Sequence, residues 1–159
     1  MPDICLSTDM IVGFPGETDL EFDETMSLVS QVGYHSMFSF KYSERPNTLA
    51  SKRFPDDVPA AVKTSRIVRL QETQKQIQDA LHAGRIGSEV DVLVDSTSRR
   101  REWEVAGRTT GNTVVNFTAS EQLVGSLVSV RITGSSPFSL RGELVATTDR
   151  QSGITTAHV

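Results

Sequence analysis

Cysteine is nearly absent from this 159-residue chain, where Cys5 stands alone. A single thiol excludes an internal disulfide, and it cannot by itself hold zinc or an iron–sulfur cluster. Aromatic residues make up only 6% of the sequence, too few for a large aromatic core. No apolar run approaches the roughly 18 residues of a membrane span. Met1-Pro2-Asp3 lacks the charged-then-apolar opening of a signal peptide. The histidines, His35, His82 and His158, are too scattered to suggest a metal set, and no Ser–His–Asp arrangement emerges. Neither a metal ligand nor a catalytic residue is therefore expected here. Positive charge is not in excess either: 16 Lys and Arg against 20 Asp and Glu give a net charge of −4. That balance excludes a uniformly basic nucleic-acid coat but permits arginines gathered on one face. The expectation is a cytoplasmic monomer with no membrane association.

What is present is a folded chain, 37% hydrophobic and 23% charged, of a length that fits one or two small domains. Its two halves differ in texture. Residues 1–87 carry helical patterns. Ile4 to Val12 is apolar enough for a buried strand and enters a turn, Gly13-Phe14-Pro15-Gly16-Glu17-Thr18. Thr18-Asp19-Leu20-Glu21 matches a capping box, Phe22, Met26 and Val29 follow at helical spacing, and Gly33 is a natural stop. His35 to Tyr42 alternates and predicts the next strand, so the order strand–helix–strand implies a parallel pair with a right-handed crossover. Ser43 to Val58 reads as loop, and Pro59 suits the first turn of a helix running to about Ala83. Val62, Ile67, Leu70, Ile77 and Leu81 form its apolar stripe. Lys63, Arg66, Arg69, Glu72 and Lys75 read as its solvated face.

From Ser88 the period becomes two. Val90, Val92 and Val94 alternate with acids, and further strands are predicted at Glu102–Arg108, Thr113–Phe117, Leu127–Thr133 and Ser139–Ala146. Gly111-Asn112 signals a short hairpin. The predicted architecture is α/β followed by all-β. Residues 1–87 supply a βαβ unit, residues 88–149 a five-stranded barrel of the oligonucleotide-binding kind, and residues 150–159 a frayed tail.

Several residues stand out chemically, each with two readings. Ligands of parallel sheets sit beyond the carboxyl ends of strands, where glycine permits close approach. Glu17 there either hydrogen-bonds a ligand or favours the helix dipole. Asp9, a carboxylate in an apolar strand, needs either a ligand or a partner on a neighbouring strand if it is buried. Arg45, in Tyr42-Ser43-Glu44-Arg45-Pro46, either clamps a carboxylate or phosphate or pairs with Glu17 or Glu44. In the barrel half every basic residue is arginine: 99, 100, 101, 108, 131 and 141. Arginine pairs phosphate and stacks on bases, yet eight acids share the segment, so Arg99-Arg100-Arg101 also reads as a solvated loop. Trp103 is either a core residue or a stacking platform.

Three stretches together point further: residues 7–18, Ser7-Thr8-Asp9-Met10-Ile11-Val12-Gly13-Phe14-Pro15-Gly16-Glu17-Thr18; residues 42–48, Tyr42-Ser43-Glu44-Arg45-Pro46-Asn47-Thr48; and Gly107-Arg108-Thr109 with Val114-Val115-Asn116-Phe117. In this order and spacing the sequence closely resembles the radical S-adenosylmethionine methylthiotransferases, most of all their tRNA-modifying branch. Ser139-Leu140-Arg141-Gly142 resembles the last strand of that family's TRAM domain, an RNA-binding barrel. The likeness covers about residues 2–150. It implies the closing βαβ part of a partial TIM-like radical barrel followed by TRAM, with Met1 falling inside the radical domain.

For the full-length enzyme the resemblance implies S-adenosylmethionine, two 4Fe-4S clusters and a reductant. It also implies addition of a methylthio group to carbon 2 of isopentenyladenosine next to the anticodon. The cluster cysteines have no counterparts here, so the chain alone is expected to be inactive. Carried over by motif, Asp9, Ile11, Gly13, Glu17 and Arg45 would line the S-adenosylmethionine site. Arg99, Arg100, Arg101, Trp103, Arg108 and Arg141 would contact the tRNA anticodon stem-loop. Where the family usually has glycine after the proline of the second motif, this chain has Asn47, a residue that tolerates a left-handed turn. Two alternatives are a related enzyme acting on an aspartate of a ribosomal protein and a non-enzymatic TRAM RNA-binding protein.

Overall fold

The computed structural model describes residues 4–97 and 103–145. The chain divides into two compact units, Met1–Gly84 and Arg85–Val159. Among the described residues no helix is long and apolar enough to cross a membrane.

In the first unit, β1 (Ser7–Val12), α1 (Asp19–Val32), β2 (Ser36–Lys41), α2 (Leu49–Arg53) and α3 (Ala60–Ala83) follow in order. The capping box forms: the Thr18 hydroxyl accepts from the Glu21 amide, and the Glu21 carboxylate accepts from the Thr18 amide at 2.8 Å. Those bonds from Thr18, the backbone one first, hold the Glu21 carboxyl below its ordinary range. Gly33 ends α1 in the left-handed conformation, with φ 64°. Strands β1 and β2 pair in parallel, Asp9 opposite Phe38 and Ile11 opposite Phe40. One sheet face packs Val12, with Met10 and Met37, against Phe22, Met26 and Val29 of α1 and Leu70 of α3. Alternation puts Asp9, Ile11, Phe38 and Phe40 on the other face, where they are exposed, Phe38 at 66%.

Three expectations change here. Asp9 is exposed rather than buried, because it shares the face that no helix among the described residues of this unit covers, so it needs no compensating partner. The polar side of α3 is not uniformly solvated: Lys63 and Arg66 are buried, while Arg69 stays exposed. The short α2, capped by the Thr48 hydroxyl on Ser51, lies inside the segment read as loop. A five-residue helix has too little periodicity to be visible in sequence.

In the second unit, β3 (Glu89–Thr97), β4 (Glu104–Thr109), β5 (Val114–Thr118), β6 (Leu127–Ser136) and β7 (Ser139–Leu144) close in the order β3-β4-β5-β7-β6. All pairs are antiparallel except β5 with β7, giving the mixed five-stranded barrel of OB-like domains. Val92, Val94, Val105, Val115, Phe117, Val128, Val130, Ile132 and Leu140 fill its interior. A 3-10 turn over Glu121–Leu123, unforeseen in the sequence, links β5 to β6. The chain crosses itself tightly at two glycines. A Cβ on Gly107 would lie 2.4 Å from the Leu93 carbonyl oxygen, and one on Gly142 would lie 2.4 Å from Val130 Cγ1 and 2.8 Å from the Arg131 carbonyl oxygen. Backbone cannot retreat as a side chain can.

Gly107→Ala and Gly142→Ala are each expected to destabilise the barrel by about 1–3 kcal/mol, the usual range for an overpacked core, read as a shifted urea midpoint. Residues 1–87 expressed alone are expected to self-associate through the exposed Ile11, Phe38 and Phe40 face. A monomer by sedimentation velocity that also melts sharply by circular dichroism would contradict this.

Candidate functional site

The glycine turn sits at the carboxyl end of β1 and is held from beneath by α3. Gly13 (φ 71°) and Gly16 (φ 82°) both lie in the left-handed region that favours glycine. At Gly13 there is a second reason: a Cβ would meet Lys63 Cγ at 2.4 Å. Lys63 and Arg66, three residues apart and thus on one helix face, divide the work. Lys63 pairs with Asp56 and reaches the Tyr42 carbonyl oxygen at 3.4 Å. Arg66 donates to Glu17 Oε2 at 2.6 Å, to the Glu17 carbonyl at 3.0 Å and to Asp19 at 2.7 Å. Glu17 Oε2 also accepts the Gly13 amide at 2.6 Å, and Asp57 accepts the Gly16 amide at 2.8 Å.

Burial opposes the charge on Arg66, but its hydrogen bonds to Asp19 and Glu17, with their negative charges, outweigh that and raise the guanidinium above its ordinary value. Glu17 is thus committed to Arg66 and Gly13, with its side chain only 12% exposed. Above this clasp Phe14 meets Tyr42 edge-on at 5.1 Å, with Phe54 at 6.5 Å.

Arg45 lies nearby in sequence but forms no pair with Glu17 or Glu44 among the described residues; it is exposed. Its carbonyl accepts the Thr48 amide at 3.3 Å across Pro46-Asn47, with Asn47 at φ 68°. Proline second and a left-handed residue third is the type II pattern, so asparagine does adopt the conformation for which glycine is the easy choice. The roles of Lys63, Arg66, Asp56 and Asp57 escaped the sequence reading. The available signal was spacing: Lys63, Arg66, Leu70 and Gln74 are all buried on one stripe of α3, but three of the four are polar, and a hydrophobicity pattern passes over them.

On the barrel, outward side chains of β4, β5 and β7 line up across the ladders. Ala106 lies beside Asn116, Asn116 beside Arg141, and Arg108 beside Val114. Arg108 donates to Asn112 Oδ1 at 3.0 Å and lies 3.4 Å from Asp95, so it is oriented yet half-exposed. Arg141 is exposed and has no hydrogen bond or ion pair among the described residues. Arg131 differs, pairing with Glu89 at 2.6 Å. Trp103 is 73% exposed, which excludes the core reading; it enters β4 at φ 67°, its carbonyl held by the Ala119 amide. Arg99, Arg100 and Arg101 lie outside the described residues. Phe138, 83% exposed in the turn between β6 and β7, went unnoticed in the sequence. A lone Phe after Pro137 carries no periodic signal.

Removing the Arg66 guanidinium strands a largely buried Glu17. Arg66→Ala is therefore expected to cost about 3–5 kcal/mol of stability, against less than about 1 kcal/mol for Arg69→Ala, whose pair with Asp23 is exposed on both sides. Urea denaturation of the two variants measures the difference.

Comparison with known proteins fits this division. The TRAM domain family matches residues 85–145. The chain is 48% identical over 144 residues to a tRNA-2-methylthio-N(6)-dimethylallyladenosine synthase of Methylobacillus flagellatus, covering 91% of this chain and 32% of that protein. Proteins of the same name match from Methylococcus capsulatus (47%, covering 91% of this chain and 31% of the relative) and Burkholderia cenocepacia (45% over 158 residues, 97% and 34%). The chain spans about a third of the length of these curated relatives. Residues 85–145 are thus a TRAM domain, and nearly the whole chain is homologous to one third of the tRNA-2-methylthio-N(6)-dimethylallyladenosine synthases.

Proposed function

We propose that this chain provides the tRNA grip and part of the cofactor wall of a tRNA methylthiotransferase, one that places a methylthio group on carbon 2 of isopentenyladenosine next to the anticodon. One observation carries the reading: a TRAM barrel bearing an exposed tryptophan and unneutralised Arg141 follows a parallel β1–β2 sheet with an open apolar face. The relatives' name favours tRNA over a ribosomal-protein target. In this reading the α/β unit is the closing part of a partial radical SAM barrel, and the protein is a cytoplasmic monomer that draws on an external reductant.

The residues present test this reading cofactor by cofactor. A 4Fe-4S cluster takes thiolates in threes and fours, and Cys5 is the one cysteine of the chain; neither cluster fits here, and no step is assigned through one. S-adenosylmethionine fits better. Ile11 offers an apolar flank on the open face, Asp9 an exposed carboxylate on the same face, and the Gly13 turn a backbone edge at the strand's end. When bound, the sulfonium supplies the radical precursor and methyl group; the chain's own task is orientation. Glu17 serves that task at one remove, by fixing the turn through Gly13 and Arg66. Arg45, exposed at the neighbouring strand end and without an acidic partner among the described residues, would take an anionic group of the cofactor in this reading.

On the barrel, Arg108 and Arg141 with Arg99–Arg101 meet phosphate, and Trp103 stacks. Five-stranded barrels of this topology bind oligonucleotides across the face of their second and third strands, here β4 and β5. The full chain is expected to bind an anticodon stem-loop with an affinity that falls steeply with salt. The Arg99/Arg100/Arg101→Ala triple variant is expected to bind more weakly with a shallower salt slope, by about one unit for each phosphate no longer held. Equal binding by filter assay rejects that surface. Incubated with S-adenosylmethionine and a reductant, the chain alone is expected to leave the stem-loop unchanged, and a methylthiolated adenosine detected by mass spectrometry overturns the assignment of the clusters to other polypeptide.

A further inference from the structure

The β6–β7 hairpin tip presents an exposed aromatic ring that the proposed RNA face does not use, close in sequence to Arg141, which that face does use. Phe138, at its turn, is the most exposed large apolar side chain among the described residues, at 83%. An aromatic ring left in water at a hairpin tip contributes nothing to the core, so packing gives no reason for it to be there. The hairpin beneath it is well ordered by its own contacts. Ser136 Oγ donates to the Ser139 carbonyl at 2.8 Å and lies 2.9 Å from the Ser139 hydroxyl, closing the turn. A register shift between Ile132 and Gly134 bends β6 just before it, the usual effect of a bulge at a barrel rim.

Three residues beyond Phe138, Arg141 lies opposite Gly134 in the ladder. A Cβ on Gly134 would sit 3.4 Å from Arg141 Nη2 and 3.5 Å from Nε, so the guanidinium lies across the bare glycine backbone. It has no acidic or carbonyl partner among the described residues, unlike Lys63 and Arg66. A hydrogen-bonded turn thus carries an exposed aromatic ring, and the next outward-facing strand position but one carries a planar cation with no acidic partner among the described residues.

We infer that the β6–β7 hairpin is a base-stacking site for an unpaired nucleotide of RNA, in which Phe138 stacks the base and Arg141, seated on Gly134, takes the adjoining phosphate. An aromatic ring binds any base through its face, while a guanidinium supplies the charge that the phosphate needs. A purely apolar partner would be met by Phe138 alone and would gain nothing from Arg141. The site deepens the RNA-binding reading above and rests on it: Arg141 is shared with that reading, and the hairpin tip with Phe138 is the element added.

The test is fluorescence anisotropy of the full chain with a labelled, unstructured RNA of about ten nucleotides, within the usual site size of such barrels. Phe138→Ala is expected to weaken binding about tenfold without changing the salt slope. Phe138→Leu, apolar but not aromatic, is expected to weaken it as much, and Phe138→Trp to restore it. Arg141→Ala is expected to weaken binding and lower the salt slope by about one. Gly134→Ala, which pushes on the guanidinium, is expected to fall between wild type and Arg141→Ala. Phe138 is exposed, so thermal melts of its variants should match wild type. Wild-type binding lost in the Arg99/Arg100/Arg101→Ala variant but unchanged in every Phe138 variant overturns the stacking site alone. No binding by wild type overturns the RNA reading with it. Phe138→Leu binding like wild type replaces stacking with simple apolar contact and also overturns the inference.

Discussion

Among the described residues, three glycines have no room for one further carbon atom. At Gly13 the space is taken by the Lys63 side chain, at Gly107 by the Leu93 carbonyl and Val92, and at Gly142 by Val130 and the Arg131 backbone. Close approach at these points sets the geometry of both units. In the first, it lets α3 press on the turn after β1, so that Lys63 and Arg66 reach the acids around it. In the second, it lets five short strands curl into a barrel narrow enough for valines to fill. Glycine here is not a matter of flexibility. It is the absence of volume where two backbones or a backbone and a long side chain must cross.

The same contrast of filled and open space sorts the charged groups. Lys63 and Arg66 are cations whose charge is answered: both are buried, paired with Asp56, Glu17 and Asp19, and engaged with the rings of Tyr42 and Phe22, and only the buried Arg66 Nε lacks a hydrogen-bond partner among these groups. Such charges hold a shape and have little left to offer a ligand. Arg45 and Arg141 are the reverse, exposed and without acidic partners among the described residues. Net charge says nothing of this difference. A chain at −4 still presents free guanidinium groups where its acids are occupied elsewhere or absent.

Much of the fold was legible because its signals are local. The capping box at Thr18 and Glu21, the stop at Gly33, the helix over Ala60–Ala83 and the period-two valines of β3 all depend on neighbours a few residues away. What the sequence hid depends on partners far along the chain. Arg66 is 49 positions from Glu17, and nothing in its own surroundings distinguishes it from Arg69, which stays in solvent. Asp9 looked costly because its strand is apolar, yet the parity of β1 turns it to the open face with Ile11. Trp103 and Phe138 were obscure for the opposite reason. Aromatic residues are buried often enough that only coordinates reveal the ones left outside. The motif resemblance supplied candidate sites that neither periodicity nor spacing could propose.

The strand order of the barrel carries a consequence for the order of events during synthesis. The last strand of this barrel to leave the ribosome, β7, does not add to an edge; it lies between β5 and β6 and pairs with both, parallel to one and antiparallel to the other. Until it is threaded in, β5 and β6 each have an unsatisfied ladder, and Leu140 is missing from the interior. Without β7 the other strands make an open sheet in the order β6-β3-β4-β5, and the barrel can seal only after translation has passed Leu144.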